Sequence, residues 1–203
     1  MKTVIFDVDG CLADFVWSFT KEVIERSSFV DMAGYPKPWG TRENKSRWDF
    51  LDVFTKKEIE DAWSRVKGSK NWWMKLIALE DHETFQQIDE LQYDHQVLFV
   101  TARVGWNPQW QTRIWLENQG ILNPNVIVTD KKGEIAHAVG AHFHVDDKPE
   151  NAACVHWMSE KTRSYFVEHD YRKGGDWLPS RIKRIKSVRE YISDIRSINN
   201  DLG

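Results

Sequence analysis

No uninterrupted apolar run in the sequence approaches the roughly 18 residues needed to cross a bilayer, so no membrane-spanning helix is expected. Cysteine is scarce. Cys11 and Cys154 are too few for a disulfide framework and lack the spacing of a zinc site, which makes a reducing cytoplasm the expected setting. Neither is followed by an arginine at the spacing of a cysteine-phosphatase loop. An excess of positive charge is also missing. With 28 Lys and Arg against 31 Asp and Glu, the formal net charge is −3, so no global basic field favours nucleic acid or an anionic membrane. The G-x-S-x-G elbow, the Walker A loop and the G-x-G-x-x-G fingerprint do not occur, nor does any internal repeat or low-complexity segment. The run from Met1 to Asp7 reaches an acid too early for a secretory signal peptide.

What the chain does contain is a series of short apolar runs that end in polar or acidic residues, as buried parallel strands do: Thr3–Phe6, Gln96–Val100, Asn125–Val128, His142–Val145 and Ser164–Val167. Helical stretches lie between the later runs. Asn107-Pro108 reads as an N-cap with proline at the first helical position, opening a helix to about Asn118, and Gly133–Val139 reads as a second, closed by Gly140. Strands alternating with helices predict an α/β fold on a Rossmann-like parallel sheet. The basic stretch Arg181–Lys186, punctuated by Ile182 and Ile185 and followed by Val188, Tyr191, Ile192 and Ile195, reads as an amphipathic helix with a solvated basic face. The alternation fails between residues 15 and 72, which are aromatic, charged and mostly helical in pattern. That stretch predicts a helical insertion (15–72) in a discontinuous core (1–14 and 73–203).

Ligands of open parallel sheets bind beyond the carboxyl ends of the strands. The first strand runs into Asp7-Val8-Asp9-Gly10, the second into Thr101-Ala102-Arg103, the third into Asp130-Lys131-Lys132 and the fourth into Asp146-Asp147. A parallel sheet gathers these groups at one edge. Carboxylates so clustered repel one another unless a cation neutralises them, and hard oxygen ligands with room for phosphate suit Mg²⁺. His142 and His144 alternate along a strand, face opposite ways and cannot chelate one metal together.

Phe6-Asp7-Val8-Asp9-Gly10, Thr101, Lys132 and Asp146-Asp147, in this order and each near a strand end, resemble the four motifs of the haloacid dehalogenase superfamily. The resemblance implies that Asp7 attacks phosphorus and is transiently phosphorylated, while Asp9 serves as general acid and base. An acid at the Asp9 position implies phosphoryl transfer, since dehalogenases of this type usually lack it. The metal is implied to sit on the Asp7 carboxylate, the Asp9 carbonyl and Asp146, with Asp147 in support through water. Thr101 is implied to donate to a phosphate oxygen and Lys132 to neutralise the transferring group, with Gly10 allowing close backbone approach.

Asp7–Phe15, including Leu12-Ala13-Asp14-Phe15, Ser69–Trp73 and Val145–Glu150 are similar to segments of the 5'(3')-deoxyribonucleotidases within that superfamily. The implied activity is a Mg²⁺-dependent phosphomonoesterase on nucleoside monophosphates, with the insertion as a cap that selects the substrate. Six of the eleven tryptophans precede residue 80. Phe15, Trp72 and Trp73 are the candidates for the base pocket, with Trp63 and Trp48 behind them. Ala102 and Arg103 stand where those relatives carry serine-proline, and both are expected near phosphate or sugar, with a surface salt bridge equally open for Arg103. A phosphatase of sugar phosphates or of 3'-phosphorylated nucleic-acid ends remains open, as does a non-catalytic interaction protein. A small phosphate ester is the expected partner, with a homodimer allowed for.

Overall fold

The computed structural model describes residues 1–24, 54–169 and 175–200. Trp39, Trp48 and the middle of the expected insertion lie outside them. Six strands form one sheet: β1 (Lys2–Phe6), β2 (His95–Thr101), β3 (Asn125–Val128), β4 (Phe143–Asp146), β5 (Arg163–Val167) and β6 (Lys183–Ile185). Their order is β3-β2-β1-β4-β5-β6, and every pairing is parallel. The described helices are α1 (Phe15–Ile24), α2 (Lys56–Gly68), α3 (His82–Leu91), α4 (Pro108–Asn118), α5 (Lys132–Ala138), α6 (Pro149–Met158) and α7 (Val188–Asn200). Among the described residues no helix is long and apolar enough to cross a membrane.

The central strand needs apolar residues on both faces, and alternation sorts them. Val4 and Phe6 of β1, with Val97 and Phe99 of β2, join Phe85 and Ile88 of α3, Trp115 of α4 and Tyr191 and Ile192 of α7 in one core. Ile5, Leu98 and Val100 point the other way, to Ala136 of α5 and Val155 of α6. The aromatic side of α1 and α2 (Phe15, Phe19, Ala62, Val66) is continuous with the first core. These helices are tied by Arg65, whose Nε donates to Glu22 Oε1 at 2.6 Å, and α2 starts on a capping box between Thr55 and Glu58.

The chain leaves β1 for β2 on one side and later enters β4 on the other, so the order reverses between β1 and β4. That is where a crevice opens at the carboxyl edge of such a sheet. Asn107, with φ 36°, caps α4 through the Trp110 amide and is followed by Pro108, as its sequence suggests.

The basic stretch Arg181–Lys186 corrects its expectation. Lys183–Ile185 is strand β6 on the edge beside β5, and helix begins only at Val188. Ile182 packs beside Phe166, while Ile185 joins the main core. A spacing of three that spans a strand-to-helix junction imitates a helical period. The basic side chains are met locally, Lys183 by Asp194 and Lys186 by Glu168.

Candidate active site

The turn after β1 is held by its own backbone. Asp7 N extends the ladder to Val145 O at 3.0 Å, Val8 O accepts from Leu12 N and Ala13 N, and Gly10 N donates to Ala13 O at 2.9 Å. Gly10 sits at φ +89°, and a Cβ there would lie 2.1 Å from Asp147 Oδ2, so only glycine lets the loop pass that carboxylate. His169, just after β5, donates from Nε2 to Gly10 O at 2.6 Å and ties the turn from the far side.

Asp7, Asp146 and Asp147 are all buried and each offers an oxygen within 4.8 Å of the others. Lys132, at the start of α5 and 4% exposed, reaches between two of them, with Nζ 2.7 Å from Asp7 Oδ1 and 2.6 Å from Asp146 Oδ2. Burial, followed by the Asp146 charge, pushes the Asp7 carboxyl well above the usual range despite Lys132. Burial works the same way on Asp146, but Lys132 beside it and His144 behind it outweigh that and hold it low. The two anions raise the Lys132 ammonium against its own desolvation, so it stays charged. Asn151, in the first turn of α6, donates to both Asp146 oxygens at 3.0 and 3.1 Å, and Lys148 N adds a 2.8 Å bond.

Asp9 faces this cluster from the turn. Thr101 Oγ1, from the end of β2, donates to Asp9 Oδ2 at 3.1 Å. The surrounding cavity, about 130 Å³, is lined by Asp7, Asp9, Gly10, Thr101, Ala102, Lys132 and Asp147 on its polar side, and by Phe15, Val16, Trp63 and Trp73 on the other. Lys148 and Asn151 complete it. The expected polar residues other than Asp146 and Arg103 thus line one cavity, with Asp146 directly beneath it.

Some aromatic and basic side chains take other positions. Trp72 does not line the cavity; its Nε1 donates to Glu22 Oε2 at 3.3 Å and its ring meets Trp73 edge-on. Trp73 is 2% exposed, with Phe15 stacked on it at 5.8 Å and the Arg103 guanidinium 5.0 Å from its ring centre. It offers the cavity an edge, not an open face for a base. Arg103 is likewise buried off the cavity and grips Asp9, through Nε at 3.0 Å and Nη2 at 2.8 Å.

Asn151 and Arg103's grip on Asp9 escape sequence reasoning, although a signal exists for each. Asn151 stands in the first turn of a helix opened by Pro149, next to the Asp146-Asp147 motif. Arg103 is two residues past Thr101, the spacing that puts side chains of an extended chain on one side. His144 lies fully buried behind Asp146, Nε2 3.7 Å from Oδ2, while His142 is exposed.

The donor set fits a divalent cation. Three buried carboxylates converge within reach of one ammonium, and hard oxygen donors so crowded repel one another unless a cation joins them. A divalent ion on Asp7, Asp146 and Asp147 would relieve that repulsion. Saturating Mg²⁺ is therefore expected to raise the melting temperature. At 100 times its Kd it adds about 2.7 kcal/mol, and Asp146→Asn should abolish the shift in a thermal denaturation series. No shift in the parent chain would remove the metal from the account.

Cys11 lies against this site, buried, and is expected to be inert. Burial, then the Asp7 charge, pushes its thiol far above the usual range, whereas Cys154 is partly exposed. A thiol reagent should consume one cysteine per native chain and two after denaturation, as read by mass spectrometry.

No protein-family model matches the sequence, and a search of curated proteins finds no relative. Solved structures do match. A dehalogenase with an intermediate complex superposes with a TM-score of 0.56 at 11% identity, over 94% of this chain and 95% of that one. A HAD family hydrolase from Deinococcus radiodurans R1, with phosphate and sodium bound, gives 0.54 at 12%, over 99% and 96%. A HAD-superfamily hydrolase from Ehrlichia chaffeensis gives 0.53 at 14%, over 96% and 98%. At such identities the likeness is one of fold. The chain has the α/β architecture of haloacid dehalogenase-type hydrolases.

Proposed function

We propose that this chain is a Mg²⁺-dependent phosphomonoesterase that acts through an aspartyl-phosphate on Asp7, with nucleoside monophosphates as its substrate class. The observation that carries the reading is the cavity where Asp7, Asp9, Thr101 and Lys132 converge beside Asp146 and Asp147. Asp7 presents an oxygen to the phosphorus, with Lys132 at 2.7 Å to offset charge on the transferring group. Asp9, two residues on, delivers a proton to the leaving oxygen and then takes one from the hydrolytic water. Thr101, whose hydroxyl donates to Asp9 Oδ2 in this structure, would turn that one proton to a phosphate oxygen when substrate enters. The metal, when bound, supplies charge neutralisation for both phosphate and nucleophile, and Asp7, Asp146 and Asp147 would hold it. Asp9 also separates this reading from carbon–halogen cleavage, which needs no acid for a halide leaving group.

Phe15, Val16, Trp63 and Trp73 give the cavity one apolar side, which suits an ester whose leaving group carries an apolar or aromatic part. The volume of about 130 Å³ favours a second reading, a smaller ester such as a sugar phosphate, because sites for larger ligands run from roughly 300 Å³ upwards. Phosphate release from ribo- and deoxyribonucleoside 5'- and 3'-monophosphates, sugar phosphates and a 3'-phosphorylated oligonucleotide, with Mg²⁺ and with EDTA, decides. Metal-dependent release concentrated on nucleotides is the expected result. Release from sugar phosphates alone transfers the site to the second reading, and release from nothing rejects both.

A further inference from the structure

We propose that Arg103 is a positioning residue for Asp9, aimed in turn by the segment that returns from α2. The inference rests on the phosphatase reading above. Arg103 is 2% exposed and every nitrogen of its guanidinium is engaged. Nε donates to Asp9 Oδ2 at 3.0 Å and to Oδ1 at 3.2 Å, Nη2 to Oδ1 at 2.8 Å, and Nη1 to Thr112 Oγ1 at 3.0 Å. Its ζ carbon lies 5.0 Å from the Trp73 ring centre and 5.8 Å from that of Trp115. Nothing in this arrangement reaches for a substrate. Two parallel bonds fix the plane of a carboxylate as a single contact cannot, and Thr101 holds the Asp9 oxygen from its cavity side.

The clamp is itself anchored to the chain leaving α2. Trp73 Nε1 donates to Val104 O at 2.9 Å, and Trp73 N to Gln111 Oε1 at 3.1 Å. Trp106 N donates to Lys67 O at 3.0 Å, and Gln111 Nε2 to Ser69 O at 3.2 Å. Gly105, at φ +99°, passes so close that a Cβ would lie 2.5 Å from Lys67 Cα. The loop after β2 is thus fastened to residues 67–73 at several points, and Arg103 carries that placement to Asp9.

In the first step Asp7 attacks phosphorus, the bond from phosphorus to the leaving oxygen breaks, and that oxygen takes the proton that Asp9 carries in its acid form and regains from water in the second step. The phosphoryl group now sits on Asp7, and the Asp9 carboxylate faces the guanidinium fork. In the second step water attacks phosphorus, Asp9 recovers a proton from it, and inorganic phosphate leaves Asp7. Arg103 donates no proton and touches no reacting atom. Its loss should therefore matter in proportion to how much the leaving group needs that proton.

The test compares kcat/KM on an alkyl phosphate with kcat/KM on 4-nitrophenyl phosphate, whose leaving group departs without protonation. For Arg103→Ala the alkyl ester should lose about 100-fold, the low end of what general acid catalysis supplies, and the nitrophenyl ester only a few-fold. KM should move little, Arg103→Lys should recover part of the loss, and guanidinium ion added to the Ala variant should recover more. Thr112→Val, which frees only the outer end of the fork, should show the same selectivity on a smaller scale and carries the test if Arg103→Ala does not fold. Equal losses on both esters, without recovery by guanidinium, overturn the proposal while leaving the phosphatase reading intact. An unsubstituted chain that hydrolyses neither ester defeats that parent reading instead.

Discussion

Asp7→Asn should give a folded protein that releases no phosphate, with turnover down by at least about 10⁴-fold, as when a covalent nucleophile is removed from another hydrolase. The amide keeps the shape of the side chain but cannot form the acyl phosphate. The fold should tolerate the change. Asp7 is a buried carboxyl among Asp146, Asp147 and Asp9, and burial and the Asp146 charge already oppose its ionisation. Replacing it leaves the Lys132 contact to Asp146 at 2.6 Å in place. Melting temperature and phosphate release measured on one preparation check both halves. Activity within tenfold of the parent would sink the covalent mechanism, and an unfolded variant would show that Asp7 holds the turn as well.

Lys132→Met should be more costly to stability. The ammonium is the buried cation that touches both Asp7 and Asp146, and it is 4% exposed. Breaking a buried pair by removing one partner typically costs about 3–5 kcal/mol, because the other charge stays buried without compensation. Urea unfolding at neutral pH reads this directly. Mg²⁺ should return part of the loss, since a divalent ion on the same carboxylates substitutes for some of the missing charge. Phosphate release should remain depressed even then, because the metal does not occupy the place of the lysine. A change in stability below about 1 kcal/mol would mean that the site relaxes by protonating Asp7.

The polar half of the site was legible in the sequence because Asp7, Thr101 and Asp146 stand at the ends of strands that the apolar pattern already defined, with Asp9 and Lys132 a few residues beyond. Phe6-Asp7, Val100-Thr101 and Val145-Asp146 are junctions between a buried run and a polar residue. A parallel sheet leaves such junctions one place to meet. The aromatic half was not legible in the same way. A tryptophan at position 72 or 73 has the same composition whether it meets a ligand or fills a core. Only packing shows that Trp72 turns towards Glu22 while Trp73 lies beneath Arg103. Arg103 shows the same limit from the polar side. A charged residue past a strand end reads equally as a ligand contact or a surface pair, and only packing shows it enclosed by Trp73 and Trp115 with Asp9 as its partner. The strand β6 failed for a further reason. Three residues are too few to display a period, and the helix that follows lends its own.

The parallel register of the central strand has a consequence for the order in which the protein is made. β1 is hydrogen-bonded to β2 and β4, and the amide of Asp7 itself donates to Val145. On a ribosome moving at about 5–20 residues per second, Asp7 emerges roughly 7–28 s before Asp146. Through that interval the first strand has no permanent neighbour on its β4 side, and its acidic turn lacks the Asp146-Asp147 carboxylates beside which its chemistry is set. The nucleophile is therefore synthesised first and armed last. Any nascent chain halted before β4 carries the attacking residue without the Asp146-Asp147 pair that completes its site.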